Sequence, residues 1–172
     1  IVSVTNGVIK IFAEDKELNP KSSFLGFDNS PIPDGVGGAA FIAEHEKHGR
    51  SLWQHKDGKN TLITSEKEMG IKLEYFSPDI NSSGDIIFRA IKDDFRHIFL
   101  WNSQTKKVST LLSQGQKILS NEDNIQIINR EKWPAFSGKP CITNNREAYI
   151  HTVLESSKTF ENKGSGIFKI AL

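Results

Sequence analysis

Short apolar segments alternate along the chain with clusters of Gly, Asn, Asp and Ser, and the spacing of a sustained amphipathic helix is absent. The apolar segments are rich in Ile, Val, Phe, Trp and Thr, which fit a pleated sheet. The middle of the chain parses as four strands, at Tyr75 to Ile80, Asp85 to Ile91, His97 to Asn102 and Lys107 to Ser113. The pattern predicts an all-β fold, with helix limited to about one turn between Gln116 and Glu131.

The strand pattern repeats, because the segments SPIPDGVGGAAF, SPDINSSGDIIF and GKPCITNNREAYI can be aligned. The aligned positions are Pro31, Pro78 and Pro140, then Asp34, Asn81 and Thr143, then Gly37, Gly84 and Arg146, and last Phe41, Phe88 and Ile150. The spacing from Phe41 to Phe88 is nearly that from Trp53 to Trp101. This near-constant period predicts that each of these two pairs occupies equivalent buried positions.

The octet NSSGDIIF at 81–88 has the composition of a hairpin turn, since an Asn side chain can bond its own backbone and Gly accepts positive φ. It also matches the opening of a calcium loop, but Ala90 stands where that loop needs a bidentate Glu. The HEKH segment at 45–48 is one residue too short to place both His side chains on one helical face. We therefore predict a structural turn and a solvated loop, with no metal and no cofactor.

The repeat resembles a known family. The 81–88 segment, followed by IFLW and VSTLLS, is similar to the tandem repeats of secreted bacterial proteins named for an NxxGxxxF motif, which in turn resemble β-propeller blades of the TolB type. The likeness covers most of the chain, including VIKIFAED with Phe24 and Phe27. The first and third copies depart from the motif at its Asn, with Asp34 and Thr143, so the third blade is assigned mainly by position. The resemblance implies a propeller-type fold and a secreted, periplasmic or extracellular location, and it implies no activity.

The strand count predicts about three four-stranded antiparallel blades. The opening IVSVTNGVIKIFAED resembles the last two strands of a blade, and the closing GIFKIAL resembles a third strand. We expect one β-propeller-like domain over 1–172, with repeats at approximately 1–27 (partial), 28–66, 75–115 and 137–172. Since propellers usually close with at least four blades, the chain is either a partial propeller from a longer protein or half of a dimeric six-bladed ring.

The composition and charge of the chain indicate which classes of partner can be expected. The chain is 37% hydrophobic and 25% charged, with a formal net charge of +1, so neither nucleic acid nor an anionic membrane is an expected partner. No apolar run approaches the roughly 20 residues of a membrane span, and the given chain shows no signal-peptide layout. The lone Cys141 excludes an internal disulfide and a Cys-rich zinc site. Self-association through incomplete blades is the expected partnership.

The candidate ligand-binding residues follow from blade geometry. In a four-stranded blade, the loop between the second and third strands and the connection to the next blade emerge on one face. The extended segments GQKILSNEDNIQIINREKWPAF and ESSKTFENKGS fall there, with EHEKHGR and KDDFR. Long loops on one face of a rigid scaffold tend to carry binding, although the longer insertion fits equally a cover for an open blade edge or a contact with a partner. The candidates are His45, His48, Asp93, Asp94, Trp133 and His151.

Two function classes fit this architecture. One is a binding or interaction module that holds a glycan, peptide or partner protein on the loop face. The alternative is a propeller-type hydrolase or lyase, with an active site assembled from several blades. No nucleophile triad, phosphate loop or paired-carboxylate motif is recognisable, so we favour the binding module and leave open whether the chain is an enzyme. The two classes differ in whether the candidate side chains converge on one concave point.

Overall fold

The architecture is all-β. A computed structural model describes residues 1–28, 31–118, 124–129 and 134–172. The strands and the single helix of these residues are β1 (Val2–Thr5), β2 (Val8–Ile11), β3 (Phe24–Phe27), β4 (Ile32–Pro33), β5 (Ala39–His45), β6 (Gly49–Lys56), β7 (Lys59–Ser65), α1 (Glu66–Met69), β8 (Lys72–Leu73), β9 (Asp79–Ile80), β10 (Ile86–Lys92), β11 (Phe95–Asn102), β12 (Lys107–Ser113), β13 (Ile125–Ile127), β14 (Phe136–Ile142), β15 (Glu147–Ser156) and β16 (Asn162–Ala171). None of the helix in the described part is long and apolar enough to cross a membrane.

The strands form three antiparallel sheets of β-propeller type and one separate hairpin. Blade 1 has the order β3/β4, β5, β6, β7, blade 2 the order β8/β9, β10, β11, β12, and blade 3 the order β13/β14, β15, β16. In each blade the first strand is broken into two pieces that pair with the same edge of the second strand. Counted with each broken strand as one, the described residues hold two complete blades, a three-stranded blade and the β1–β2 hairpin, as the sequence predicts.

The first strand of each blade differs from the prediction. The segment Tyr75 to Ile80 is not one strand, because only Asp79–Ile80 pairs there and a second piece, Lys72–Leu73, pairs upstream. Pro78 has no N–H to donate, and the chain leaves the sheet between the two pieces. Likewise Phe24–Phe27 forms the first strand of blade 1 and does not belong to the partial repeat at the N-terminus.

The helix also lies elsewhere than predicted. It is α1, in the connection from blade 1 to blade 2, where the Ser65 hydroxyl caps the Glu68 N–H and Gly70 ends the turn at φ 62°. Within the Gln116 to Glu131 segment the described residues form the strand β13, whereas 119–123 and 130–131 lie outside the described residues.

The aligned turns are structurally equivalent, which answers what the NSSGDIIF octet is. In each copy the first polar residue makes two hydrogen bonds with the residue four positions later. Its backbone N–H donates to the carbonyl oxygen of that residue, and its side-chain oxygen accepts from the backbone N–H of that residue. The pairs are Asp34 with Gly38, Asn81 with Asp85, and Thr143 with Glu147. The residue before the second member has positive φ in all three copies, at Gly37, Gly84 and Arg146. The octet is therefore a structural turn that closes the hairpin of the first two strands.

One predicted equivalence is wrong. Phe41 and Phe88 are equivalent and fully buried, because Phe41 faces Trp53 and Phe88 faces Phe99 across the second and third strands. This register makes Phe99, and not Trp101, the counterpart of Trp53. The β10–β11 turn is one residue shorter than the β5–β6 loop, so the residue that faces Phe88 comes earlier than the repeat spacing predicts. Trp101, at nearly the repeat spacing, therefore lies two residues beyond Phe99 on the strand.

Apolar clusters fill the spaces between neighbouring blades. Ile42 and Leu52 of blade 1 pack with Phe88 and Phe99 of blade 2. On the other face of blade 2, a second cluster joins β10 and β11 to blade 3, and its largest members include Ile87, Ile98, Phe136 and Ile150. A third cluster covers the outer face of blade 1, where Phe41 and Trp53 pack against Phe24 and Ala13. Blade 2 is thus buried on both faces.

Candidate functional site

The face that carries the second-to-third strand loops also carries the connections between blades, as predicted. His48, in the β5–β6 loop, lies with its Nδ1 3.8 Å from Glu68 Oε1 on α1. Arg50, at the start of β6, donates from Nη1 to Glu66 Oε1 at 3.0 Å. We call this the loop face. It lies opposite the face of the 34–38, 81–85 and 143–147 turns.

A groove crosses the loop face from the blade 1–blade 2 connection toward blade 3. It consists of two adjoining cavities of about 510 Å³ and 380 Å³, which share Lys72 and Ile91. We call it the connector groove, and its main lining residues are Lys72, Tyr75, Phe76, Ile91, Asp94 and Arg96. The break in the first strand of blade 2 forms one wall, because 74–78 leave the sheet there.

Arg50 fixes one end of the groove. Its guanidinium makes ion pairs with Asp28 and Glu66 and donates to the backbone carbonyl of Leu73, so it joins blade 1 to the connection and to β8. Burial alone would lower the pKa of Arg50, but its hydrogen bonds and charge interactions with Asp28 and Glu66 outweigh burial and raise it. The guanidinium carbon lies 4.7 Å from the ring centroid of Tyr75.

Arg89 and Glu74 form a buried ion pair beneath the middle of the groove. Arg89 is 2% exposed and donates from Nε and Nη2 to the two carboxylate oxygens of Glu74, at 2.8 and 3.1 Å. Its Nη1 donates to the Gly138 carbonyl of blade 3 at 2.7 Å. Arg96 adds a longer contact to Glu74, at 3.4 Å. The network ties blade 2 to blade 3 and holds the 74–78 segment in place.

The aromatic side chains of the groove are unusually exposed for their size. Tyr75 is 82% exposed and Phe76 39% exposed, and the guanidinium carbon of Arg89 lies 3.9 Å from the centroid of the Phe76 ring. Phe95, in the second half of the groove, is also exposed. A ring that packs against a guanidinium and is also exposed to solvent can contact a ligand with its exposed surface.

The structure brings together two of the predicted site residues, His45 and His48. Their ring centroids are 4.9 Å apart, and both rings contact Trp53. Burial, followed by the nearby charge of His48, lowers the pKa of His45. Neither His lines the connector groove.

The other predicted residues are dispersed. Asp93 and Asp94 form the β10–β11 turn, both with positive φ, and Asp94 lines the groove. His151 lies in the middle of β15 opposite Ser137 and Ile167, away from the loops, and Trp133 lies outside the described residues. No hydrogen bond or ion pair joins the described candidates to one another across blades. In the described part of the chain, no three His, Cys, Asp or Glu side chains lie together as a metal-binding group.

The residues that shape the groove were missed from the sequence. Tyr75 and Phe76 were placed inside a strand, where they would have been half buried. One signal was available, since Arg89 interrupts the apolar run IIFRAIK, and a buried Arg requires a carboxylate partner. The partner, Glu74, lies in the segment that breaks the strand.

No protein-family model and no curated protein matches this chain. Similar solved structures include TolB from Acinetobacter baumannii, with 13% identity and a TM-score of 0.43 over 81% of this chain. They also include the β-propeller domain of the Trilobed protease from Pyrococcus furiosus, with 12% identity and a TM-score of 0.46 over 86% of this chain. The chain spans 42% and 44% of the length of these two structures. At such identities the likeness concerns the fold alone.

Proposed function

We propose that this chain is a binding module of β-propeller type and that the connector groove takes an extended peptide segment of a partner protein. The observation that carries the proposal is the exposed pair Tyr75 and Phe76, which stand out from a strand break held by the buried Arg89–Glu74 ion pair. Large aromatics that are rigidly supported yet exposed are typical anchors of protein interfaces.

The lining favours a peptide over a glycan on this face. Leu73, Phe76 and Ile91 offer apolar surface that can accept an aliphatic or aromatic side chain. Lys72 lies where the two cavities join, with Asp94 in the second, and neither makes a side-chain ion pair in the described part of the chain. These two opposite charges can fix the direction of a peptide by its own polar groups.

Selection from a phage-displayed library of random dodecapeptides tests the proposal. Peptides enriched on the wild-type chain should bind the Tyr75→Ser/Phe76→Ser variant at least about tenfold more weakly, because the anchors of an interface carry most of its affinity. The matched control is Leu18→Ser/Val36→Ser, which removes two exposed apolar side chains outside the groove. Unchanged affinity in the groove variant, or an equal loss in the control, would overturn the proposal. The unfolding temperature of each variant, compared with that of the wild-type chain, reports whether the fold is kept.

The proposal extends to self-association and location. Among the described residues, β16 pairs on one edge only, and Ile167 and the β1–β2 hairpin expose apolar side chains. Such edges pair readily with a second copy. Light scattering at micromolar concentration should therefore give about twice the 19.3 kDa mass of one chain, and the mass of one chain would contradict self-association. A secreted or periplasmic location is the accompanying expectation.

A further inference from the structure

A second concave surface lies on the turn face, opposite the connector groove. It is a cleft of about 630 Å³ between the β6–β7 turn of blade 1 and the β11–β12 turn of blade 2. Lys56, Lys59 and Lys106 line it, and the acidic residue of its lining is Asp57. We call it the lysine cleft. It shares no lining residue with the connector groove, so nothing about it depends on the function proposed above.

The lysines of this cleft have no ion-pair partner among the described residues. Lys56, Lys59 and Lys106 make no ion pair and no side-chain hydrogen bond within the part of the chain that the structure describes. Some lysines elsewhere do have partners, as Lys139 has in Asp79 and Lys169 in Glu147, whereas others, such as Lys72, have none among the described residues. Three cations around one concavity repel one another, and an anion between them would relieve that repulsion.

The floor of the cleft is aromatic. Trp101 is 8% exposed, and the Lys106 Nζ lies 5.8 Å from its ring centroid. The indole Nε1 is buried and has no hydrogen-bond partner among the residues that the structure describes, which is uncommon for a buried Trp. Gln54, at the same floor, is held by a hydrogen bond from its Nε2 to the Gly84 carbonyl. The cleft thus combines an aromatic side chain in its lining with a positively charged rim.

We propose that the lysine cleft binds an anionic polysaccharide. The carboxylate or sulfate groups would pair with the lysines, and the apolar face of a sugar ring would lie against Trp101, since aromatic side chains present an apolar body to such faces. The volume fits a fragment of a few rings, because pockets of this size hold drug-sized ligands. A single aromatic in the cleft lining favours a saccharide over a long single-stranded nucleic acid, whose successive bases stack on several aromatic side chains.

Calorimetric titration with defined hexasaccharides tests this assignment. The probes are a heparin hexasaccharide, which carries sulfate and carboxylate, hexagalacturonate, which carries carboxylate alone, and neutral maltohexaose. Saturable binding of either anionic probe but not of maltohexaose supports the proposal, and the two anionic arms tell sulfate from carboxylate recognition. Failure of both anionic probes to bind at millimolar concentration would overturn it.

Variants locate the binding. Lys59→Gln/Lys106→Gln should weaken the anionic probe about tenfold, as expected for the loss of two charge contacts at partly exposed positions. The matched control, Lys47→Gln/Lys67→Gln, makes the same charge change outside the cleft and should leave the affinity unchanged. An equal loss in both pairs would show general charge attraction and would overturn the proposal.

Trp101→Phe tests the aromatic part of the lining with a smaller ring. It should weaken the saccharide while leaving a thymidine oligonucleotide, used as a polyanion without this shape, unaffected. The assignment would be contradicted if the oligonucleotide bound tightly and the Trp101→Phe variant kept the wild-type affinity for the saccharide. The unfolding temperature of each variant, measured without ligand, reports any change of fold separately.

Discussion

Blades 2 and 3 share one topology but differ in how many of their faces are covered. In blade 2, β10 reads IIFRAIK and its first five residues are buried without interruption. In blade 3, β15 reads EAYIHTVLES, and buried residues such as Ala148 and Ile150 alternate with more exposed ones such as Tyr149. A strand covered on both faces keeps a continuous apolar run, whereas a strand covered on one face alternates.

The comparison teaches which positions can carry function. In the covered blade the buried Arg89 is held by hydrogen bonds to Glu74 and to the Gly138 carbonyl, which offset the cost of burying its charge. The same pair holds the groove wall open. The open face of blade 3 instead presents exposed side chains such as Tyr149 and Ile167.

The largest effect is expected for Phe88→Ala. This side chain is 1% exposed between blades 1 and 2, so its removal should cost about 3 to 5 kcal/mol of unfolding free energy through lost burial and a cavity. Tyr149→Ala, on the open face of blade 3, is the control and should cost less than about 1 kcal/mol. Urea unfolding measures both. Similar costs for the two would show that Phe88 is not held in a packed core between blades 1 and 2.

Glu74→Gln should come next. It leaves the buried Arg89 without its carboxylate, and breaking a buried ion pair from one side costs about 3 kcal/mol. Glu46→Gln removes the partner of Lys16 in an exposed pair and should cost less than about 1 kcal/mol. The same denaturant titration compares them, and a Glu74→Gln variant as stable as Glu46→Gln would argue against the network as the support of the groove.

Much of this fold can be predicted from the sequence, because turn residues and strand periodicity are local signals. The repeat register holds at Pro31, Pro78 and Pro140, which all lie three positions before the first residue of the turn. The groove could not be predicted, since it depends on a strand break that is stabilised from a distance by Arg89. The predicted equivalence of Trp53 and Trp101 is wrong for a similar reason. A difference of one residue in a hairpin loop changes the register of the two strands without disturbing the sequence pattern of the repeat.

Gly84→Ala sharpens the comparison of the turns. Gly84 has φ 88°, and a Cβ there would lie 2.7 Å from Gln54 Nε2, so the substitution should cost about 1 to 3 kcal/mol. Gly138→Ala is the matched control, with φ 68° and open space around the new methyl group. The difference in unfolding free energy between the two isolates the inter-blade contact. Equal costs would attribute the whole effect to backbone strain.

The smallest effect concerns pH. Burial and the charge of His48 lower the pKa of His45 in the folded chain, so folding favours its neutral form. As the pH falls, the unfolded chain therefore binds a proton at His45 at a higher pH than the folded chain does. The stability that neutral His45 contributes is fully present above about pH 6.5 and is lost as the pH falls below that value. His45→Asn should reduce the drop in unfolding temperature between pH 7.5 and pH 5. An unchanged drop would show that other groups cause it.

Hydrogen exchange with and without a library-selected peptide tests the binding proposal most directly. The account predicts that the peptide slows exchange of backbone amides at 72–76 and 93–96, which border the connector groove. It predicts no slowing at 162–171, on the open edge of blade 3, or at 101–107, beside the lysine cleft. Slowing confined to either of those segments would place the peptide elsewhere and contradict the account.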